Sequence, residues 1–213
     1  NPRDYTSIAV TTDDSNDELV YASSMGDGVI QYKNGTPVQS YNEKNAFKET
    51  AGGYGSGYCY IDGLAFDKNG NLWMTSSEVN HAVLVLDKAG AWHRLDIEQL
   101  RGVYTINDIL ITSTNDKWIY VPRNTPKLVM IPNSESLDEV SSYEFTTLID
   151  TDGKELTPSN YTCVAEDKDG YIWVGTNRGA VYFTKPRISS AEDKAATRCT
   201  RVKYTNEKTD NLS

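Results

Sequence analysis

The stretch Asp167-Lys168-Asp169-Gly170-Tyr171-Ile172-Trp173-Val174-Gly175 decides how the chain is read, because it occurs twice. One hundred residues earlier stands Asp67-Lys68-Asn69-Gly70-Asn71-Leu72-Trp73-Met74-Thr75. Each copy is an Asp-Lys-Asx-Gly turn followed by an aliphatic-Trp-aliphatic strand, with Gly supplying the positive φ that a tight turn needs. Two weaker copies become visible against this pattern. Asn16-Asp17-Glu18-Leu19-Val20-Tyr21 puts Tyr21 at the Trp position, and Asn115-Asp116-Lys117-Trp118 puts Trp118 there. The markers Tyr21, Trp73, Trp118 and Trp173 are 52, 45 and 55 residues apart.

That period matches the roughly 40–50 residues of a four-stranded propeller blade. Turn residues divide each unit into four short strands. The expected strands are about 6–12, 18–24, 28–33 and 37–41 in the first unit and about 60–66, 71–76, 82–87 and 91–95 in the second. The third has about 105–112, 117–121, 127–131 and 143–148, and the fourth about 161–166, 171–175, 179–184 and 198–204. Helix is expected only as single turns, at Asp96 to Gly102 and after Ser190. A parallel α/β fold needs helical patterns of about ten or more residues between strands, and none is present. The fold class is therefore all-β, a β-propeller of four-stranded antiparallel blades. Four blades are expected, at about 5–47, 58–97, 104–150 and 160–205, within one propeller fragment spanning 1–213. The aromatic markers should fill the widening wedge between neighbouring blades.

Composition agrees and narrows the function. Of 213 residues, 14 are Tyr and 4 Trp against 4 Phe and 3 Met, a strand-rich choice. The net charge of −9 repels a phosphate backbone, so no nucleic-acid partner is expected. The longest aliphatic run, Ala82 to Leu86, is far short of the roughly 20 residues that span a bilayer, so no membrane insertion is expected. Asn1 is not followed by a basic, apolar and small-residue pattern, so any targeting sequence is expected outside this stretch.

Chemistry-bearing motifs are few. His81 and His93 lack a metal-ligand spacing, and no nucleophile elbow, phosphate loop or dinucleotide fingerprint occurs. The acidic turns at 150–153 and 167–170 lack the Glu that a calcium loop carries at its twelfth position, where Tyr161 and Arg178 stand, and read as hairpin turns. Cys59, Cys163 and Cys199 could form one pair, but small buried thiols are the simpler reading. No catalytic residue, metal or cofactor is expected, and the chain reads as non-enzymatic.

In a propeller the connection from one blade to the next and the loop between second and third strands share a face. The long Gly-, Tyr- and Ser-rich connector 42–59 has the composition of an adaptable contact surface. Tyr54 and Tyr58 are the candidates for stacking there, with Arg123 and Arg178 for anionic groups of a protein or glycan ligand.

The fourth unit, from Asp167 through Thr176-Asn177-Arg178-Gly179 to Phe183, resembles the two-component regulator propeller repeat. Asp67 to Ser76 is a degraded copy of that motif. Pro2 to Val10, Val20 to Val29 and Gly70 to Trp73 further resemble the propeller region of PorZ-like surface proteins associated with type IX secretion. The resemblance implies an exported parent, in the periplasm or on the outer surface of a Gram-negative bacterium, with further blades as partners. It also admits a carbohydrate-sensing periplasmic propeller of a hybrid two-component sensor, and a propeller hydrolase or lyase is the enzymatic alternative.

Overall fold

The computed structural model describes residues 4–47 and 57–202. The chain opens with four antiparallel strands, β1 (Tyr5–Thr12), β2 (Glu18–Gly26), β3 (Gly28–Lys33) and β4 (Thr36–Tyr41), each paired with the next. A second meander is built from β5 (Cys59–Phe66), β6 (Leu72–Ser76), β7 (Val83–Leu86) and β8 (Trp92–Leu95). The third comprises β9 (Ile109–Ile111), β10 (Lys117–Val121), β11 (Lys127–Ile131) and β12 (Tyr143–Phe145). After a small hairpin, β13 (Leu148–Ile149) and β14 (Glu155–Leu156), the fourth comprises β15 (Tyr161–Glu166), β16 (Tyr171–Thr176), β17 (Gly179–Thr184) and β18 (Thr200–Arg201). Among the described residues helix is confined to the 3-10 turn Glu98–Leu100 and to α1 (Ala191–Ala196), which Ser190 caps by accepting from the Asp193 amide.

One five-residue turn recurs wherever a first strand meets a second. At Asp67 the amide donates to the Asn71 carbonyl, the Gly70 amide to the Asp67 carbonyl, and the Asp67 carboxylate accepts from the amides of Asn69 and Asn71. Asp167 repeats all four bonds. Units one and three keep the same backbone with Asn16 (φ +62°) and Asn115 (φ +67°) where the others have Gly70 and Gly170. Asn is the residue that best replaces Gly in this left-handed conformation. Asp150 and Asp87 build two further copies, so the acidic segment 150–153 is a hairpin turn, as is 167–170.

The units stack through their faces and form three apolar cores. Tyr21 and Val29 of unit one meet Leu72 and Met74 of unit two; Trp73 and Val85 meet Ile119 and Val121 of unit three; Trp118 and Met130 meet Ile172 and Val174 of unit four. Alternation along each second strand sends the marker aromatic to the following unit and its neighbours to the preceding one. Trp73 and Trp118 are each 1% exposed, as their wedge-filling role requires. Trp173 is half-buried and lies with Tyr182 and Tyr171 on the outward face of unit four. The outward face of unit one shows Ile8 and Val10, 62% and 57% exposed.

Three details depart from the expected strands. The inner strand of unit three is only Ile109–Ile111 rather than 105–112, because the Ile106 amide is captured by Ser77 Oγ and the Asn107 carbonyl by Thr75 Oγ1. Its outer strand ends at Phe145, and Leu148–Ile149 turns back on Glu155–Leu156, with Cys199 bonded to the backbone of Ile149 and Thr151. Sheet pairing also crosses from unit one to unit two, where Met25 and Gly26 pair with Tyr60 and Cys59. All three cysteines are free, with Cys59 and Cys199 buried and Cys163 exposed; burial pushes the Cys59 thiol up to about 11.

Candidate functional site

The loops between second and third strands meet the connectors between units on one face. At units two and three the Glu78 amide donates to the Val103 carbonyl at 2.8 Å, and the Gly102 amide to Val79 at 2.9 Å. The Tyr161 amide donates to Pro122 at 3.0 Å. The Asn177 carboxamide oxygen accepts from Ser159 and Asn160, at 3.0 and 3.2 Å. The loops of units two and three are thus tied to the chain entering the next inner strand, and that of unit four to the chain entering its own, which gives this face a fixed shape despite its irregular backbone.

Polar side chains join the inner strands of successive units just below it. Thr6 Oγ1 donates to the Ile61 carbonyl at 2.5 Å, and the Leu64 amide to Ser7 Oγ at 3.2 Å. Thr75 Oγ1 accepts from Gly63 N and donates to the Asn107 carbonyl. Asn107 Nδ2 donates to the Tyr120 hydroxyl, which donates to the Thr162 carbonyl at 3.1 Å. Gly63 leaves room for Asp108: a Cβ there would lie 2.8 Å from Asp108 Oδ1.

Two carboxyl groups stand in this rim. Asp62 accepts from Ser77 Oγ at 2.7 Å, and burial pushes its pKa up to about 8, a rise that the Ser77 bonds only partly oppose. Burial also raises Asp108, against one bond from the Ile109 amide. Tyr58 and Tyr60 meet edge to face with centroids 6.4 Å apart, and Tyr104 is 57% exposed. Tyr58 lies on Gly26, whose φ of +114° and missing Cβ allow the ring to approach; a Cβ would be 2.8 Å from Tyr58 Cε2. Aromatic rings beside hydrogen-bond acceptors form a surface suited to flat, hydroxyl-rich or cationic groups.

Of the residues picked out from sequence, Tyr54 lies outside the described residues. Tyr58 stands at the entry to β5, Arg123 is exposed on the loop after β10, and Arg178 is exposed on the turn after β16. The arginines belong to units three and four, and among the described residues no hydrogen bond or ion pair joins one to the other. Sequence reading missed Tyr60, Asp62, Ser77 and Asp108. The one available signal was an Asp-Gly pair inside the otherwise apolar Cys59 to Phe66 strand. Among the described residues no cluster of three or more His, Cys, Asp or Glu side chains could hold a metal ion, and no helix is long and apolar enough to cross a membrane.

Comparison with known proteins places this geometry. The family model of the two component regulator propeller matches residues 155–178, which include the Asp167 turn and Trp173. No curated protein matches the chain in sequence. Among solved structures, PorZ, an essential surface component of the type IX secretion system of Porphyromonas gingivalis, is similar with a TM-score of 0.74 at 19% identity. The match covers 91% of this chain and 26% of PorZ. The extracellular domain of the hybrid two component system BT4673 from B. thetaiotaomicron gives a TM-score of 0.62 at 15% identity, covering 95% of this chain and 24% of that one. That of BT3049 gives 0.54 at 17%, covering 81% and 21%. The chain therefore spans about a quarter of the length of these proteins or less. The chain matches the two component regulator propeller model at 155–178, on an all-β fold similar to PorZ and to the extracellular domains of two component systems.

Proposed function

We propose that the chain is four blades, at about 5–47, 58–97, 104–150 and 160–205, of a larger propeller. It serves as a non-enzymatic binding or scaffold module of an exported bacterial protein, in the periplasm or at the cell surface. The observation that carries this reading is the fixed loop face, where Tyr58 meets Tyr60 and Tyr60 stands by the Asp62 carboxyl in a surface tied to both neighbouring units. Protein or glycan is the ligand class. Tyr54 and Tyr58 supply stacking area, while Arg123 and Arg178 serve anionic groups farther along the face. The remaining blades of the parent are the other partner, packing on the open faces that carry Ile8 and Trp173.

A second reading, a carbohydrate-sensing module of a hybrid two-component receptor, is favoured by the repeat matched at 155–178. The two readings share the loop face and differ in the consequence of binding: assembly in the first, a relayed signal in the second. Screening the chain against a glycan array and against outer-membrane protein extracts tests the shared part. Binding should be lost in Tyr58→Ala with the fold intact by circular dichroism. Retention of full binding in Tyr58→Ala, Arg123→Ala and Arg178→Ala alike would remove the loop face from consideration.

A further inference from the structure

The opposite face, which carries the turns between first and second strands, holds a cleft of about 580 Å³ between units three and four. Its counterpart between units two and three is bridged directly. There Lys68 N donates to Asn115 Oδ1 at 3.0 Å and Lys68 Nζ to the Ser113 carbonyl. Between units one and two the counterpart is smaller, about 380 Å³. The larger cleft is flanked by additions that the repeat does not need. Units one and two join their third and fourth strands by tight turns at 34–35 and 87–91, whereas units three and four use residues 132–142 and 185–199.

The second addition is anchored. Ile188 is 3% exposed within the core of units three and four, and Lys194 Nζ lies 5.3 Å over the Phe145 ring. The segment leaves β17 through Lys185, a non-glycine residue at φ +45°, a conformation that costs about 1 kcal/mol or more for such a residue. Its side chain lies along Gly170, where a Cβ would be 3.6 Å from Lys185 Cε.

Charge in the cleft is unevenly committed. Glu166 accepts from the Ser113 amide and hydroxyl, and Asp116 from the Asn133 amide and the Thr114 hydroxyl. Lys168 has only Asp169 at 3.9 Å, and both side chains are largely exposed. Among the described residues Lys185 and Arg187 make no side-chain hydrogen bond or ion pair. Of the three acids in the lining, Glu166 and Asp116 are therefore satisfied internally and Asp169 stands only beside Lys168, so Lys185 and Arg187 have no acid of their own and Lys168 is loosely paired. The apolar part of the lining comes from Trp118, Ile172, Ile188, Pro132 and Pro186.

We propose that this cleft binds an acidic peptide segment that carries an apolar side chain between its carboxylates. Arg187 and the two lysines receive carboxylates, Arg187 with its planar pair of donors, and the Ile and Pro surface receives the apolar group. Phosphate fits less well, because it is usually cradled by converging backbone amides. In this lining two of the positions are prolines, which have none, and the Asn133 and Ser113 amides are already bonded. The site is on the face opposite Tyr58 and stands independently of the loop-face reading.

The test is titration of the chain with the blocked tripeptide acetyl-Asp-Leu-Asp-amide, followed by amide NMR. Saturable shifts confined to 166–170 and 185–189 are expected. Affinity should fall by about tenfold or more in high salt, with the Asn-Leu-Asn peptide, and in the exposed double variant Lys185→Gln/Arg187→Gln. Lys44→Gln, on unit one, should bind as the parent does. No saturable shift at millimolar peptide, equal binding of the Asn peptide, or undiminished binding by the folded double variant would each overturn the proposal.

Discussion

The indole Nε1 of Trp173 donates to Asp167 Oδ2 at 2.7 Å, and Trp73 repeats the bond to Asp67 Oδ2 at 2.9 Å. One carboxylate thus closes the turn, orients the adjoining strand and satisfies the donor of the residue that fills the wedge. Asp67→Ala leaves a buried indole N–H unpaired and removes three further bonds, from the amides of Asn69 and Asn71 and from Asn71 Nδ2. A loss of about 2–4 kcal/mol is expected by urea denaturation. Asp167→Ala should cost less, because Trp173 reaches solvent.

The same bond gives unit four an acid dependence. The Trp173 indole, followed by the Tyr171 amide, holds the Asp167 carboxyl below the usual carboxylate range. Its contribution is complete above the unfolded-state value and disappears as pH falls through the lowered one. Asp167→Asn should therefore flatten the acid limb of a stability profile below about pH 4. An unchanged limb would show that the bond does not distinguish carboxylate from amide.

Asp62 acts in the opposite direction. With a folded pKa of about 8 against about 4 unfolded, the folded chain holds the extra proton, so stability falls as pH rises from about 4 to 8. Asp62→Asn keeps an acceptor for Ser77 and removes the buried charge. Its melting temperature should match the parent near pH 4 and exceed it increasingly up to about pH 8, beyond which the difference levels off.

Lys117 is 2% exposed, and its Nζ stands 4.4 Å over the Trp73 ring between units two and three. Burial lowers its pKa. Lys117→Met keeps the volume and removes the desolvated charge, so stability should stay within about 1 kcal/mol or rise. Lys117→Ala opens a cavity over the indole and should cost about 2–3 kcal/mol. Chemical denaturation of the two variants separates packing from charge.

Gly26→Ala places a methyl 2.8 Å from the Tyr58 ring at a φ of +114°. A loss of about 1–3 kcal/mol is expected, with displacement of Tyr58 visible as a shift of its ring resonances. If the loop face binds as proposed, affinity should fall with that displacement even where the variant remains folded.

The repeated turn was readable because its chemistry is local: Asp accepts from amides two and four residues on, and Gly, or Asn at positions 16 and 115, takes the positive φ. Strand alternation then assigned Trp73 and Trp118 to interfaces. Contacts between distant segments were not readable. The 148–156 hairpin is held by Cys199, some 50 residues away, and the inner strand of unit three is shortened by bonds from Thr75 and Ser77. Asp62 was unremarked for the same reason, since desolvation comes from whatever packs around a group. Composition and topology put Tyr58 and the two arginines on the shared loop face but do not show Tyr60 against Tyr58 or Asp62 beside Tyr60.

The two open faces are unlike, and this gives the stack a polarity. At every internal junction a marker aromatic from one unit meets the non-marker side of the next, where aliphatic residues are joined by Phe66 at the first junction and Phe183 at the third. Trp173 is thus one half of such a junction, and the side of unit one bearing Ile8 and Val10 is the other half. A two-fold symmetric pairing would oppose like with like, indole against indole, an arrangement no junction among the described residues uses. Docking on either face is therefore directional: a unit that packs on Trp173 brings its non-marker side, and one that packs on Ile8 brings its marker aromatic.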